Sequence, residues 1–372
     1  MYLIRRVEVR DLDILLKLAK MVHFINLPAD KEIVAEKIDR SLASFRAVQE
    51  DQALDVRATD RSAVGSSPLF MFVLEDDTTG NCLGTSMIVA RMGGPGHPNI
   101  SFELHKRHFF SEDLQQGTSH TIAELMLDES GPSEIGGLIL GPSYRGHPGK
   151  LGKQLSMIRF HFMGLHRKVF ADRVLAEMMA PITADGQNTL WEYLGRRFIN
   201  LPYTEADKFC QRSREFMISL LPREPIYLSL LAPEARKLVG QVGPDTVPAR
   251  KMLEDLGFKY TNRVDPFDGG PHLEALTDQI PLVRETRRLP LAGVCDRDAC
   301  QQSGFVSVEH EEGEFFAGYA PFRLVDGESA LEMPSEFAEH IRVRAGDEVG
   351  MTPVDLKIKS LPTPTVPAGA KA

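Results

Sequence analysis

The stretch from Ile135 to Phe170 constrains the fold more than any other part of the chain. It begins with an apolar run, Ile135-Gly-Gly-Leu-Ile-Leu140, that reads as a strand. A basic glycine-rich turn follows, Tyr144-Arg-Gly-His-Pro-Gly-Lys-Leu-Gly-Lys153, and then Leu155, Ile158, Phe162 and Leu165 recur at helical spacing. Strand, glycine turn and helix start together make an anion cradle. Glycines let the backbone approach a ligand, unpaired amide N–H groups point at it, and the helix dipole favours negative charge. A Walker A loop is excluded, because Gln154 stands where a Ser or Thr would hold magnesium and His147 replaces the leading glycine. The G-x-G-x-x-G fingerprint of dinucleotide folds is absent as well.

Which anion the cradle takes depends on the turn. Arg145 at the strand exit, followed by Gly146, Gly149, Gly152 and Lys153, resembles the diphosphate turn of the GNAT-superfamily N-acyltransferases. Those enzymes set an Arg/Gln-x-x-Gly-x-Gly loop under coenzyme A. Here the spacing is stretched, and an ordinary strand–turn–helix with small residues for close packing reads the same letters. In the first reading Leu138 and Leu140 lie along the donor, while the five turn residues meet its phosphates. The segment alone leaves both readings open.

A chain of 372 residues is long for one core, so two or three domains are expected. The net charge of −9 argues against a nucleic-acid binder, although a local basic patch can still hold a phosphate ligand. No apolar run approaches the roughly 20 residues of a spanning helix. The start, Met1 to Glu8, lacks a signal-peptide core, so a cytoplasmic protein without membrane contact is the default. Cys82, Cys210, Cys295 and Cys300 form no disulfide framework. No further Cys or His pair stands near Cys295 and Cys300 to complete a zinc site, and no metal is expected.

The first 200 or so residues alternate strands and helices. Tyr2 to Val7 reads as a strand, and Asp11 as the cap of a helix with Leu12, Leu15, Leu16 and Ala19 on one face. Asp30 reads as a second N-cap, ahead of Val34, Ile38 and Leu42. Leu69–Leu74 and Cys82–Ala90 make a hairpin, preceded by a polar, mobile stretch from Asp51 to Pro68. Ile100–Leu104 and Arg173–Met178 are further strands. A weak repeat links Gln187–Gly195 with Phe198 to Pro248–Gly257 with Phe258, each a helix ending at glycine ahead of an aromatic and a strand. After Glu285 the texture turns to short β-like runs, Gly304–Val308, Phe315–Tyr319 and Arg342–Val343, and Phe337–Val349 has the look of a small barrel. Residues 361–372 cannot hold a packed structure and are expected to be disordered.

Over nearly its whole length the chain resembles the bacterial arginine N-succinyltransferase family. The resemblance rests on the order and spacing of Phe72-Val-Leu-Glu-Asp76 with Gly80 and Gly84, Ala176-Glu-Met178, and Leu190-Trp-Glu-Tyr-Leu-Gly-Arg-Arg-Phe198. It continues through Ala206-Asp207, Pro225-Ile-Tyr227, Val239-Gly-Gln-Val242, Pro248-Ala249, Leu253-Glu254 and Phe267-Asp-Gly-Gly-Pro271 with Leu273-Glu274. It implies succinyl transfer from succinyl-CoA to the α-amine of arginine, and in some members ornithine. It also implies an α+β fold: a GNAT-like mixed-sheet acyltransferase core with a partial duplication, followed by a small C-terminal β-barrel. The domains then fall at 1–200 (acyl-CoA binding), 201–284 (a second GNAT-like half on the substrate side), 285–360 (barrel) and 361–372 (tail). Homologous pairs in the family imply a homodimer or a heteromer with a paralogous subunit.

Carried over by position, Leu138 matches a family residue that contacts succinyl-CoA. The family's proton-transfer histidine, directly after the Ile/Val-Gly-x-Val motif, falls on Gly243, so that group is not inherited. His272, in the loop after Phe267, is the candidate stand-in; the alternative is a surface loop histidine. Glu177 is a candidate for the substrate's guanidinium or ammonium, since a carboxylate pairs bidentately with guanidinium. The alternative is a structural ion pair with Arg173 or Arg159. Asp268 either binds substrate or caps a turn. Two functional readings compete with the arginine enzyme: an acyltransferase with another donor or amine, and a non-catalytic CoA-binding subunit of an active paralogue.

Overall fold

The computed structural model describes residues 1–21, 27–50, 67–183, 186–210 and 212–357. The strands are β1 (Tyr2–Arg6), β2 (Leu69–Asp76), β3 (Asn81–Val89), β4 (Asn99–Ser111), β5 (Gln116–Asp128), β6 (Ser133–Leu140), β7 (Arg173–Glu177) and β8 (Ile226–Tyr227). They continue with β9 (Lys259–Val264), β10 (Pro271–Leu276), β11 (Arg287–Val294), β12 (Gln302–His310), β13 (Glu314–Val325), β14 (Ala330–Met333) and β15 (Glu348–Pro353). The helices are α1 (Leu12–Met21), α2 (Lys31–Gln49), α3 (Leu151–Leu165), α4 (Arg196–Phe198) and α5 (Tyr203–Cys210). Shorter ones follow: α6 (Glu215–Leu220), α7 (Pro233–Arg236), α8 (Val247–Asp255), α9 (Pro281–Arg284) and α10 (Ser335–His340).

These elements form a mixed α+β fold on one continuous sheet, in the order β12-β15-β11-β14-β13-β1-β2-β3-β6-β7-β10-β9-β4-β5-β8. β2 is buried along both faces because helices cover it on both sides. Leu69, Met71 and Val73 pack with Leu15, Val34 and Ile38 of α1 and α2, while Phe70, Phe72 and Leu74 pack with Phe162 of α3. Asp30 caps α2, its carboxylate accepting from the Glu32 and Ile33 amides at 3.1 and 3.4 Å. At the C-terminal end β12 pairs with both β13 and β15, which closes β11–β15 into a barrel around Leu291, Val306, Phe322, Leu331 and Met351. β1 joins barrel to core by pairing with β13 on one side and β2 on the other.

Several expectations change on meeting the fold. Asp11 does not cap α1; it closes the preceding turn, accepting from the Glu8 amide at 2.8 Å and holding the buried Arg5 guanidinium at 2.8 Å. The repeat holds at its second copy only. Gly257 has φ +96 and the Phe258 amide returns to Leu253 O at 3.0 Å before β9 begins. Gly195 instead lies inside a π-turn that runs on into α4, and helix α5 follows rather than a strand, because the Trp191 ring lies against Gly195 and leaves no room for a side chain. Arg342–Val343 is a turn after α10, with Arg342 at φ +63, not a strand. The strand at Ile100 is far longer than five residues: β4 and β5 form a hairpin whose outer half stands in solvent with Phe109, Phe110 and Leu114 exposed. Residues 51–66 and the expected tail lie outside the described residues. No described helix is long and apolar enough to cross a membrane.

Candidate active site

The strand at Ile135 and the strand at Arg173 run parallel for only two register pairs, Ser133 with Val174 and Glu134 with Leu175. Beyond them β6 and β7 diverge, while β10 stays paired along the whole opposite edge of β7. A bulge opposite Ser86, centred on Gly137 at φ +54, bends β6 at the point of divergence. The wedge is a cavity of about 510 Å³ lined on one wall by Gly136, Leu138 and Leu140, on the other by Ala176, Glu177 and Met178. The alternate residues of β6 from Gly136 on are the half-exposed ones, so the strand presents that edge to the cavity.

The glycine turn forms one end. Gly146 at φ +73 and Lys150 at φ +53 carry the chain from β6 into α3. No side chain caps this helix, and its first amides, those of Leu151 and Gly152, precede the first turn's return bond from Lys153 N to Lys150 O at 2.8 Å. Arg145, Gly146, Lys150, Gly152 and Lys153 line the cavity here. Gly149, expected among the phosphate contacts, does not. Its amide donates to His147 Nδ1 at 3.1 Å, and its carbonyl accepts from Gln154 at 2.7 Å. His147 also meets the Tyr2 hydroxyl at 3.2 Å and so ties the turn to β1, a role the sequence reading missed. Arg145 pairs with Asp245 across the mouth at 3.1 Å, both partners solvated. Behind the turn, His161 of α3 bonds Ser307 and Thr352 of the barrel at 2.7 and 2.6 Å, which fixes the helix from the rear. Burial pulls the His161 pKa down to about 3, so this clamp is neutral.

The opposite end is acidic. Glu177, at the end of β7, accepts from Asn99 Nδ2 at 3.1 Å, and Asn99 Oδ1 accepts in turn from Arg214 at 3.1 Å. Neither expected ion-pair partner reaches Glu177: Arg173 holds Asp128 and Glu274, and Arg159 bonds Ser156 and the Gly136 carbonyl. His272 is not in a surface loop. It is the second residue of β10, 1% exposed, directly across from Glu177. Burial lowers its pKa to about 4, so the imidazole is neutral. Asp268 is buried with both oxygens occupied by backbone, Ala180 N at 2.9 Å and Gly270 N at 2.7 Å. It shapes the loop and also lines the cavity.

Asp265 escaped the sequence reading, although Asp-Pro ahead of Phe267-Asp-Gly-Gly was a visible turn signal. One of its oxygens accepts from the Phe267 and Asp268 amides at 2.7 and 3.1 Å, and the carboxylate lines the cavity. Burial and then the Glu177 charge raise its pKa to about 6; burial likewise raises Glu177, against the pull of Arg214. Glu177, Asp265 and His272 each offer an atom within 4.8 Å of the others, the one such group of metal-type donors among the described residues. Chemically, the arrangement offers an anion cradle at one end, an apolar wall along β6, and paired carboxylates beside a neutral imidazole at the other.

That layout suits an acylated phosphate carrier and a cationic acceptor. A family model described as arginine N-succinyltransferase beta subunit matches residues 2–282. The chain belongs to the arginine N-succinyltransferase family. An arginine N-succinyltransferase of Enterobacter sp. (strain 638) is 34% identical over 295 residues, 78% of this chain and 81% of that one. A protein of the same name from Citrobacter koseri is 34% identical over 292 residues, 78% and 80% of the two chains. Among solved structures, arginine/ornithine succinyltransferase subunit AI from Pseudomonas aeruginosa superposes with a TM-score of 0.77 at 27% identity, covering 95% of this chain and 99% of that one. The family model's match ends at residue 282, ahead of the barrel, whereas the likeness in fold, over 95% of the chain, includes the barrel.

Proposed function

We propose that this chain transfers a succinyl group from succinyl-CoA to the α-amine of arginine, in a ternary complex within the wedge between β6 and β7. The observation that carries this is the joining, in a member of this family, of an uncapped helix start and a buried carboxylate pair by one cavity. The diphosphate lies against the amides of Leu151 and Gly152 with Arg145, Gly146 and Lys153 around it, and the pantetheine runs along Leu138 and Leu140. A backbone N–H at the bulge of β6 stabilises the oxyanion of the attacked thioester. The amine nitrogen bonds to the thioester carbon, the C–S bond breaks, and the amine's proton leaves as the thiol of coenzyme A is released.

His272 and the carboxylates beside it take that proton. Gly243, at the position of the family's histidine, is buried next to Pro244 of the cavity wall, donates its amide to Met179 O at 2.9 Å and has no side chain to offer. General acid–base groups contribute roughly 10² to 10⁴ in rate. Holding amine and thioester together supplies about 7–11 kcal/mol, the larger share. An enzyme with its base moved from residue 243 to 272 therefore keeps most of its catalytic power.

We assign the wedge and its strands to a GNAT-like acyl-donor unit within 1–200, the acceptor side to a partial second copy within 201–284, and a cytoplasmic location to the whole. A thiol-release assay with succinyl-CoA and arginine tests the function; absence of free coenzyme A with any acyl donor and basic amino acid removes it. Gly243 favours one second reading, a CoA-binding subunit that turns over only beside a paralogue. Calorimetry that finds CoA binding without turnover, and turnover on adding the second chain, selects it.

A further inference from the structure

Two of the four cysteines stand side by side at the exit of β11. The short turn Arg297–Ala299 carries the chain round until Cys300 Sγ lies 3.5 Å from Cys295 Sγ. Both thiols are half-buried. The other two are buried and solitary: Cys82 donates to Gly84 O at 3.6 Å, and Cys210 meets Met217 Sδ at 3.8 Å. Two thiols in contact can share a metal ion or exchange electrons. A structural zinc ion needs four donors, and neither cysteine belongs to a group of three metal-type donors among the described residues. Redox chemistry is what the pair can do unaided.

The surroundings suit it. A disulfide forms with its sulfurs about 2.05 Å apart, so the pair must close by about 1.5 Å. The segment between them can give, because Asp296, Arg297 and Asp298 are exposed. Its hydrogen bonds are local, Ala299 N to Asp296 O at 3.0 Å and Cys300 N to Arg297 O at 3.2 Å. The anchors on either side stay in place, Cys295 N on Met333 O at 3.0 Å and Gln302 opposite Phe322 in the β12–β13 ladder. Two cations act on the pair: Arg297 of the turn, and Arg323 of β13, which also holds Glu332 at 2.6 Å. Positive charge of this kind favours a thiolate. The two sulfurs are not equivalent. Burial, and then the hydrogen bond and charge of Cys295, push the Cys300 thiol up to about 12. Cys300 therefore keeps its proton, and Cys295 is the sulfur that attacks first.

We propose that Cys295 and Cys300 form a reversible dithiol–disulfide couple, oxidised by a small-molecule disulfide of the glutathione type. The Cys295 thiolate attacks one sulfur of the oxidant, the oxidant's S–S bond breaks, and one glutathione leaves as its thiol. Cys300 then loses its proton, attacks Cys295 Sγ and displaces the second glutathione. Two electrons pass from the cysteines to the oxidant, and their two protons end on the two glutathione thiols. The ring that closes runs from residue 295 to 300, between β11 and β12. None of its residues lines the cavity between β6 and β7, so the couple is a second chemistry, separate from acyl transfer. In a reducing compartment it rests as the dithiol and closes when the disulfide pool rises.

The test incubates the full chain with glutathione disulfide and counts free thiols in denaturant. The reduced chain holds four. Oxidation is expected to remove half of them, to lower the monomer mass by the two hydrogens lost, and to be reversed by dithiothreitol. Trypsin cuts after Arg288, Arg297 and Arg323, which puts the two cysteines on separate peptides, Leu289–Arg297 and Asp298–Arg323. In the oxidised protein these peptides travel together until reductant is added. Cys300→Ser removes the resolving sulfur, so the reaction stops with one glutathione bound at Cys295. Should that variant fail to fold, the wild-type peptide map decides alone. A full set of free thiols after exhaustive oxidation overturns the couple, as do peptides that separate without reductant. A disulfide that joins two chains, or one that uses Cys82 or Cys210, overturns it equally.

Discussion

Glu177 and His272 face each other across the antiparallel pair of β7 and β10, with Glu177 Oε1 3.8 Å from His272 Nε2. That separation is too long for a hydrogen bond. Burial keeps the imidazole neutral and its Nε2 has no hydrogen-bond partner, while the charges of Asp265 and Glu274 favour the imidazolium that uptake of a proton gives. His272→Gln keeps the shape and removes the basicity. It is expected to lower kcat by about 10² to 10⁴ while the KM for succinyl-CoA holds. A variant that turns over as fast as the wild type places the base elsewhere.

The acid limb of the pH profile follows from Asp265. Its pKa stands at about 6, against about 4 for His272, so as pH falls the carboxylate is the first of the two to protonate. Loss of that charge weakens the hold on a cationic acceptor, and kcat/KM for arginine is expected to drop below about pH 6. The same group sets a stability trend of opposite sense. Because the folded pKa is raised, the folded form keeps its proton through the window between about 4 and 6 where the unfolded chain has lost it, and stability declines as pH rises through that window. Asp265→Asn removes the trend. At pH 8 it should be the more stable protein by up to about 3 kcal/mol in denaturant titrations, with the difference vanishing near pH 4.

Much of this was legible in the sequence where local chemistry decides the outcome. Ile135–Leu140, its glycine turn and α3 form as their letters require, because an apolar strand, positive-φ positions and a helical stripe are each set within a few residues. The acidic end was not legible in the same way. Asp265, Asn99 and Arg214 come from β9's exit, the start of β4 and the start of α6, and only the pairing of β4 with β9 and of β10 with β7 brings them together. Gly269-Gly270-Pro271 reads as a break that leaves His272 in a loop, yet Pro271 opens β10 and the next residue is already inside the sheet. The Gly195 repeat failed for a packing reason: a ring four residues earlier, on Trp191, needs the space a Cβ would take, so glycine there serves the core rather than a helix end.

Gly137 tests the bulge that opens the wedge. At φ +54 an alanine is strained, and its Cβ would stand 2.2 Å from Met87 Cε and 3.0 Å from Met87 Cγ. The end of Met87 can swing away but its Cγ cannot move as freely. Gly137→Ala is expected to cost about 1–3 kcal/mol in stability. It should also weaken coenzyme A binding in calorimetry, because straightening β6 narrows the gap to β7. Gly152→Ala is the control within the same cavity. Its Cβ meets only Leu140 Cδ2, at 3.7 Å, so the fold is untouched and any loss is confined to the ligand.

The strongest test of where the base resides is to restore the family's residue. A side chain at Gly243 would place its Cβ 3.2 Å from Ala180 O, so that the backbone there must give by a few tenths of an ångström to take it. In the wild-type background Gly243→His adds a second base to a site that already has one, and kcat is expected to change by less than about threefold, as positioning carries most of the rate. In the His272→Gln background the same substitution should recover at least about tenfold of the lost kcat, within the range a general base supplies. Recovery without a change in the arginine KM shows that residues 243 and 272 serve one proton-transfer step. If Gly243→His accelerates the wild type as much as it does the Gln variant, His272 is not the acting base, and the proton leaves through the carboxylates alone.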